Sequence, residues 1–189
     1  MMTKQNKFIL AIAFQVVIIF TIIIFKLSVL AGGTDVLLKI APVDPRDFLR
    51  GDYATFQYDI SNVYSYSGDG YKINGRQIRN GDTVYIVLRQ SGKYWISQGV
   101  QTNQPTGSVF IKGKVESGGL ESQNNLFDEY RPFGDGRIHV VYGIEQYFIP
   151  EGVGRNFSFW DKEAAARVAV DDNGNAVLKQ IYVDDKPWP

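Results

Sequence analysis

The chain has 189 residues, enough for one domain with a hydrophobic core and too few for two comfortable ones. Basic and acidic residues balance at 20 each, and the chain contains no cysteine, so disulfides and zinc–thiolate sites are excluded. The first 26 residues hold three lysines and no acid, which leaves 17 basic and 20 acidic residues in the remainder. That remainder lacks the basic charge of a nucleic-acid-binding domain. The single histidine excludes a polyhistidine metal centre within one chain.

The N-terminal segment has the features of a membrane anchor. Residues 8–25 form an uncharged, strongly apolar run, and a helix of about 20 such residues spans a bilayer. Lys4 and Lys7 precede it without any acid, which predicts a cytoplasmic N-terminus. Residues 1–30 are therefore predicted to form a cytoplasmic tip and a single-pass anchor in the cytoplasmic (inner) membrane, with the C-terminal domain on the extracytoplasmic or periplasmic side. A cleaved signal peptide is the alternative, because residues 29–31 form a tolerable cleavage site.

After the anchor, the sequence predicts a short tether over residues 31–41 and an extracytoplasmic β-rich domain over residues 42–189. Alternating or β-branched runs between turn residues predict strands over 53–60, 83–90, 91–101, 107–118, 137–149 and in two arms of a hairpin within 166–185. One short helix is predicted within residues 156–170, where Ser158 can cap a run of alanines. The predicted fold class is mainly β with a minor α component: an N-terminal transmembrane helix, then a small β-barrel or β-sandwich-like domain with one short helix.

The motifs typical of adhesion or catalysis favour structural roles in this sequence. Arg50-Gly51-Asp52 leads straight into a predicted strand, so it is interpreted as a turn and not as an adhesive tripeptide. An anchor followed by Gly-Asp and by "YFIPEG" superficially resembles type I signal peptidases, but residues 39–52 contain no serine to act as the nucleophile. His139 is interpreted as a packed or surface histidine on a strand. The sequence therefore predicts no catalytic residue, no metal site and no cofactor.

Two stretches of the sequence resemble one known family. Residues 42–60, "PVDPRDFLRGDYATFQYDI", resemble the signature of the GDYXXLXY proteins, with Phe56 in place of the leucine. Residues 142–154, "YGIEQYFIPEGVG", are similar to a later block of the same family. The resemblance implies a membrane-anchored bacterial protein without an established activity. It also implies a partner, since members of the family are found alongside polytopic membrane proteins.

The residues of these two blocks are the predicted docking surface. They are Pro42, Asp44, Arg46, Arg50, Gly51, Asp52, Tyr53 and Tyr58 in the first block, and Tyr142, Gly143, Glu145, Tyr147, Pro150, Glu151 and Gly152 in the second. The expected function is that of a non-catalytic accessory or interaction subunit of a bacterial envelope membrane complex. The expected partners are the lipid bilayer and a polytopic membrane protein, without nucleic acid. Two alternatives stay open: an extracytoplasmic ligand-binding domain or hydrolase with a signal-peptidase-like fold lacking the usual serine, and a self-assembling structural subunit that forms homo-oligomers.

Overall fold

The computed structural model describes residues 3–41, 49–50, 53–64, 72–73, 76–118, 137–148 and 162–188. One long helix, α1 (Lys4–Gly32), precedes fifteen strands in these ranges. The strands are β1 (Thr34–Ala41), β2 (Leu49–Arg50), β3 (Tyr53–Thr55), β4 (Gln57–Tyr58), β5 (Asn62–Tyr64), β6 (Lys72–Ile73), β7 (Arg76–Gln77), β8 (Thr83–Ser91), β9 (Tyr94–Gln101), β10 (Phe110–Ser117), β11 (Arg137–Val141), β12 (Gln146–Phe148), β13 (Ala164–Val170), β14 (Ala176–Val183) and β15 (Lys186–Trp188). A single 3-10 turn (Asp59–Ser61) lies between β4 and β5.

Helix α1 is long and apolar enough to cross a membrane. It begins at Thr3, whose hydroxyl oxygen accepts a hydrogen bond from the backbone N–H of Asn6 at 3.3 Å. Its 29 residues extend over about 43 Å. The large apolar side chains from Phe8 to Leu27 are exposed on every side of the helix. Because a helix of a water-soluble protein buries one apolar face, this uniform exposure favours a lipid environment.

Residues 31–41, which the sequence predicts to be a tether, belong instead to ordered elements. Helix α1 continues to Gly32, and β1 begins two residues later at Thr34. Strand β1 is an inner strand of its sheet, and Val36, Leu38 and Ile40 on its inward face are buried. The alternation of apolar residues along this stretch is that of a half-buried strand, so the β-domain begins at Thr34.

Two five-stranded antiparallel sheets form a nearly closed, barrel-like domain. The first has the strand order β15-β14-β13-β1-β4, and the second has the order β5-β11-β10-β8-β9. The 3-10 turn connects β4 of the first sheet to β5 of the second sheet. The two sheets also meet where β1 of the first sheet packs against β9 of the second. The core between the sheets consists of aliphatic and aromatic side chains contributed by both. Small sheets with the orders β12-β3-β2 and β6-β7 complete the described fold.

The short helix predicted within residues 156–170 is wrong where the structure describes this stretch. Ala164–Val170 is strand β13, which lies between β1 and β14. Ala164, Ala165 and Ala166 are all buried. Pairing on both sides outweighs the modest helical preference of alanine. Residues 156–161, including Ser158, lie outside the described residues.

Two of the predicted strands are each divided in the structure. Residues 53–60 form β3, β4 and part of the 3-10 turn, although Ala54, Phe56, Tyr58 and Ile60 face the core as the alternation predicts. The strand predicted over 137–149 is described to residue 148, and it divides into β11 and β12 around a turn in which Gly143 has a φ of 76°. The β8–β9 hairpin, strand β10 and the C-terminal β13–β14 hairpin confirm their predictions.

Candidate functional site

The two signature blocks meet at the end of β1 that lies away from helix α1. Strand β4 of the first block pairs with the last residues of β1, where Tyr58 lies opposite Ile40. Strand β3 of the first block pairs with β12 of the second, where Thr55 lies opposite Gln146. The backbone N–H of Phe56 also donates to the carbonyl oxygen of Glu145 at 3.0 Å. Two segments almost ninety residues apart in the sequence therefore form one unit, which we call the signature junction (residues 53–61 and 142–148).

Aromatic side chains fill the interior of the signature junction. Phe56 and Tyr58 are about 1% or less exposed, and their rings meet edge-to-face with centroids 5.5 Å apart. The Tyr58 hydroxyl donates to the carbonyl oxygen of Ile144 at 2.7 Å. The Tyr142 hydroxyl donates to the carbonyl oxygen of Ile60 at 2.6 Å, and its ring lies 6.2 Å from that of Tyr58. Each tyrosine thus satisfies a backbone carbonyl of the opposite block, which holds the two blocks together.

The turn at the start of the second block is held by a hydrogen bond between its backbone and the side chain of Glu145. The Glu145 carboxylate accepts a hydrogen bond from the backbone N–H of Tyr142 at 2.5 Å. Gly143, between them, adopts the positive φ that favours glycine. Tyr147, farther along, packs its ring 6.1 Å from that of Trp188 on β15. Glu145, Gly143 and Tyr147 therefore have structural roles in this block.

The predicted docking residues divide into four groups in the structure, and the first consists of Gly143, Glu145 and Tyr147 with the contacts given above. Tyr58 is fully buried, so its side chain cannot contact a partner and the docking prediction is wrong for it. Tyr142 is only partly buried, so docking through its side chain stays a prediction. The backbones of Arg50 and Tyr53 lie on β2 and β3, where these two residues are paired with each other. The remaining members lie outside the described residues: Pro42, Asp44, Arg46, Gly51, Asp52, Pro150, Glu151 and Gly152.

A cleft of about 360 Å³ opens beside the signature junction. Its polar lining comes from Thr55, Gln57, Glu116, His139, Glu145 and Gln146, and its apolar lining from Phe56 and Val141. One ring nitrogen of His139 lies 3.2 Å from the Asn62 side-chain oxygen, and the other lies 3.7 Å from a carboxylate oxygen of Glu116. The alternation places Thr55 and Gln57 on the outward face of the first block, but nothing in the sequence links Glu116 or His139 to it. Within the described ranges, no group of three or more His, Asp or Glu side chains is arranged to hold a metal ion.

Burial raises the pKa of both tyrosine hydroxyls in the signature junction well above their usual range. Loss of solvation is the largest cause for Tyr58, and the negative charge of Glu145 adds to it. The pKa of Tyr142 is raised for the same two reasons, in the same order. Both hydroxyls therefore stay protonated at neutral pH and act as hydrogen-bond donors, not as bases.

Raising the pH above about 10 should destabilise the domain through these two tyrosines. A tyrosine of the unfolded chain ionises near pH 10, whereas Tyr58 and Tyr142 have raised pKa values in the fold. Their contribution to stability is therefore complete below about pH 10 and is lost as the pH rises towards the folded-state values. Urea unfolding of the full-length protein in mild detergent, followed from about pH 8 to about pH 11, measures this decline. In a Tyr58→Phe/Tyr142→Phe double variant, the free energy of unfolding should fall less steeply with rising pH than in the native protein. Equal pH slopes for the two proteins would contradict the role of these hydroxyls.

Gly113 on β10 provides the space beside the Tyr142 ring. A Cβ atom at Gly113 would lie 2.4 Å from Val140 Cγ1 and 2.9 Å from Tyr142 Cδ1, whereas one at Gly99 on β9 would meet nothing within 4 Å. Gly113→Ala should lower the free energy of unfolding by about 1 kcal/mol, since the obstructing side chains can shift only partly. Gly99→Ala is the matched control and should cause no loss. Urea unfolding of both variants measures the two changes in stability. An equal loss at the two positions would contradict the steric role of Gly113.

Comparison with known proteins gives one match. A family model described as GDYXXLXY protein matches residues 15–181, which include both signature blocks and part of helix α1. The chain matches no curated protein and no solved structure.

Proposed function

Because the chain belongs to the GDYXXLXY family, we propose that it is a membrane-anchored, non-catalytic accessory or interaction subunit of a bacterial envelope complex. Helix α1 is the anchor in the cytoplasmic (inner) membrane, and the β-domain lies on its extracytoplasmic side. The partner is a polytopic membrane protein. Family membership by itself does not identify a mechanism. The support for the proposal therefore comes from the arrangement of the domain relative to its anchor.

The observation that carries the proposal is the position of the signature relative to the anchor. Strand β1 leaves the helix at Thr34 and reaches the signature junction at Ile40 and Ala41. Seven residue steps of extended chain cover about 23 Å. The anchor and the signature therefore lie at opposite ends of one strand, and the domain presents the signature away from the helix end.

The proposed contact surface lies at the end of the domain away from the anchor. Strand β1 ends there at Ala41, and the first signature block follows it in the sequence. In the proposal, the aromatic side chains of the signature hold the fold, and the polar residues Arg46, Arg50 and Asp52 provide the contact. A partner reached in this way must extend an extracytoplasmic loop or domain beyond the membrane surface.

Site-specific photo-crosslinking in intact cells tests the proposal. A photoreactive amino acid at Thr55, an exposed residue of the signature junction, should crosslink to a polytopic membrane protein. The same amino acid at Asn173, an exposed residue in the turn near the anchor, is the matched control and should give little or none of that product. Crosslinking from Asn173 alone, or from neither position, would contradict the proposal.

The cleft favours a second candidate, an extracytoplasmic ligand-binding domain. Two carboxylates, an imidazole and two amides converge on about 360 Å³ beside the signature junction, and sites for small ligands combine such groups with apolar walls. Thermal unfolding of the full-length protein against a panel of small polar ligands tests this candidate, because a ligand bound to the folded state raises the midpoint. A stabilising ligand whose effect is lost in His139→Ala would support ligand binding over the accessory role.

A further inference from the structure

Helix α1 passes into the β-domain with almost no connecting segment. Gly33 is the only residue between the end of the helix and the start of β1. Its backbone N–H donates to the carbonyl oxygen of Val29 at 2.9 Å, which caps the helix. The next residue, Thr34, is already paired with Val170 on β13. We call residues 29–34 the anchor junction.

The last turn of the helix packs against the domain. Val29 is 1% exposed, whereas the rest of α1 is largely exposed, and the helix contacts β13 and β14. Gly33 is enclosed as well. A Cβ atom there would lie 2.6 Å from the carbonyl oxygen of Val29 and 3.0 Å from both the backbone N and O of Val170. Because these are backbone atoms on two elements, helix and sheet are in direct contact at the anchor junction.

The turn between β13 and β14 (171–175) lies beside this junction, because Thr34 pairs with the last residue of β13. The carboxylate of Asp171 accepts hydrogen bonds from the backbone N–H groups of Asn173 and Asn175 at 2.9 and 2.8 Å. The carbonyl oxygen of Gly174 accepts one from the N–H of Lys112 on β10, also at 2.9 Å. The turn is therefore polar and is fixed to both sheets of the domain.

From these contacts we infer that α1 and the β-domain form one rigid body, which rests on the membrane with the 171–175 turn against the polar headgroup layer. The inference assumes that α1 spans the bilayer, as the proposed function does. Lys26 lies six residues before the helix end, which corresponds to about 9 Å along the axis, so the junction emerges close to the hydrocarbon boundary. A polar turn at this height contacts headgroups, because inserting it into hydrocarbon would strand its backbone groups without water.

The same contacts bear on the signal-peptide alternative. Cleavage after Ala31 would remove Val29, whose side chain is buried against the domain and whose carbonyl oxygen binds Gly33. Residues 29–31 are also helical, so no extended segment is presented there. In this reading the mature protein keeps its anchor, and the anchor takes part in the fold of the domain.

Single spin labels in nanodiscs test the inference directly, since the native chain has no cysteine. Asn173→Cys and Lys186→Cys place labels at opposite ends of β13 and β14. Ala164 pairs with Val183 at the end away from the anchor junction, six residue steps from Val170, or about 20 Å. Lipids carrying a nickel chelate on their headgroups should relax the label at position 173 at least about fivefold more strongly than the label at 186, as expected for a short-range effect.

A matched control removes only the rigid connection between helix α1 and the β-domain. Six Gly and Ser residues inserted between Gly33 and Thr34 should bring the two labels to similar relaxation, because a flexible linker lets the domain tumble. Equal relaxation of both labels in the uninterrupted chain would overturn the inference, as would release of the protein from membranes by alkaline carbonate. Release would also refute the proposed function, whereas failed crosslinking from Thr55 with the label difference intact would refute the proposed function alone.

Discussion

Tyr58→Ala should lower the free energy of unfolding of the domain by about 3–5 kcal/mol, the range for removing a large buried aromatic side chain. Tyr58 has no measurable exposure and contacts the rings of Phe56 and Tyr142. The truncation therefore leaves a cavity at the signature junction and also removes the hydrogen bond to the carbonyl oxygen of Ile144. Urea unfolding of the full-length protein in mild detergent, followed by tryptophan fluorescence, gives the loss.

Two further variants separate the contributions of the ring and the hydroxyl. Tyr58→Phe keeps the ring and should cost about 1–2 kcal/mol, mainly because the Ile144 carbonyl loses its buried partner. Tyr64→Ala is the surface control, since Tyr64 is 59% exposed, and it should change stability by no more than about 0.5 kcal/mol. If Tyr58→Ala cost no more than Tyr64→Ala, the signature would not be a structural element of the core.

Gly33→Ala should lower the free energy of unfolding by about 3 kcal/mol, the upper end of the range for overpacking. Its φ of −73° suits alanine, so the cost comes from space alone. The new methyl group would meet backbone atoms of Val29 and Val170, which cannot move without separating the helix from β13. The same urea experiment measures the loss, and the anchored nickel chelate reports whether the domain has also lost its orientation.

Gly32→Ala is the matched control for this substitution. A Cβ atom at Gly32 would meet nothing within 4 Å, and Gly32 is the last residue of the helix, where alanine is favoured over glycine. Stability should stay within about 1 kcal/mol of the native value and should not fall. Similar losses at positions 32 and 33 would mean that helix packing on the sheet contributes nothing to the fold.

The features predicted well from the sequence are those set by local pattern. The uninterrupted apolar run from Phe8 predicts helix α1, because no polar face breaks it. Alternation predicts the inward face of Ala54, Phe56 and Tyr58, and Asp-Asn-Gly-Asn predicts the turn between β13 and β14. In each case, the information lies within ten to twenty residues of chain.

The features missed are those set by partners distant in the sequence. Ala164 to Ala166 have a local preference for helix, but β1 and β14 on either side draw them into a strand. The tether expected over residues 31–41 is a strand because β13 pairs with it, starting at Thr34. Local pattern does not predict such pairings.

In the candidate site, too, local pattern predicts some features, and contacts between distant segments determine the others. Resemblance identified both signature blocks, and the structure brings them together through β3 and β12. The sequence alone does not distinguish the residues of these blocks that stabilise the fold from those that are free to contact a partner. Tyr58 and Tyr142 have the polar hydroxyls of possible contact residues, yet both donate to backbone carbonyls inside the domain. Glu116 on β10 and His139 on β11 come together in the cleft because these two strands pair with each other.

The most direct test of the account is the composition of the complex after native purification. Membranes are solubilised gently, the protein is captured by a C-terminal tag, and co-eluting proteins are identified and counted by mass. One polytopic membrane protein should co-elute at fixed stoichiometry. Asp52→Ala should lower its amount at least about tenfold, equivalent to about 1.4 kcal/mol of binding free energy, whereas Asp172→Ala near the anchor should not lower it. Both variants must unfold at the native urea midpoint for this comparison. Elution of the chain alone, as a monomer or as a discrete homo-oligomer, would contradict the account.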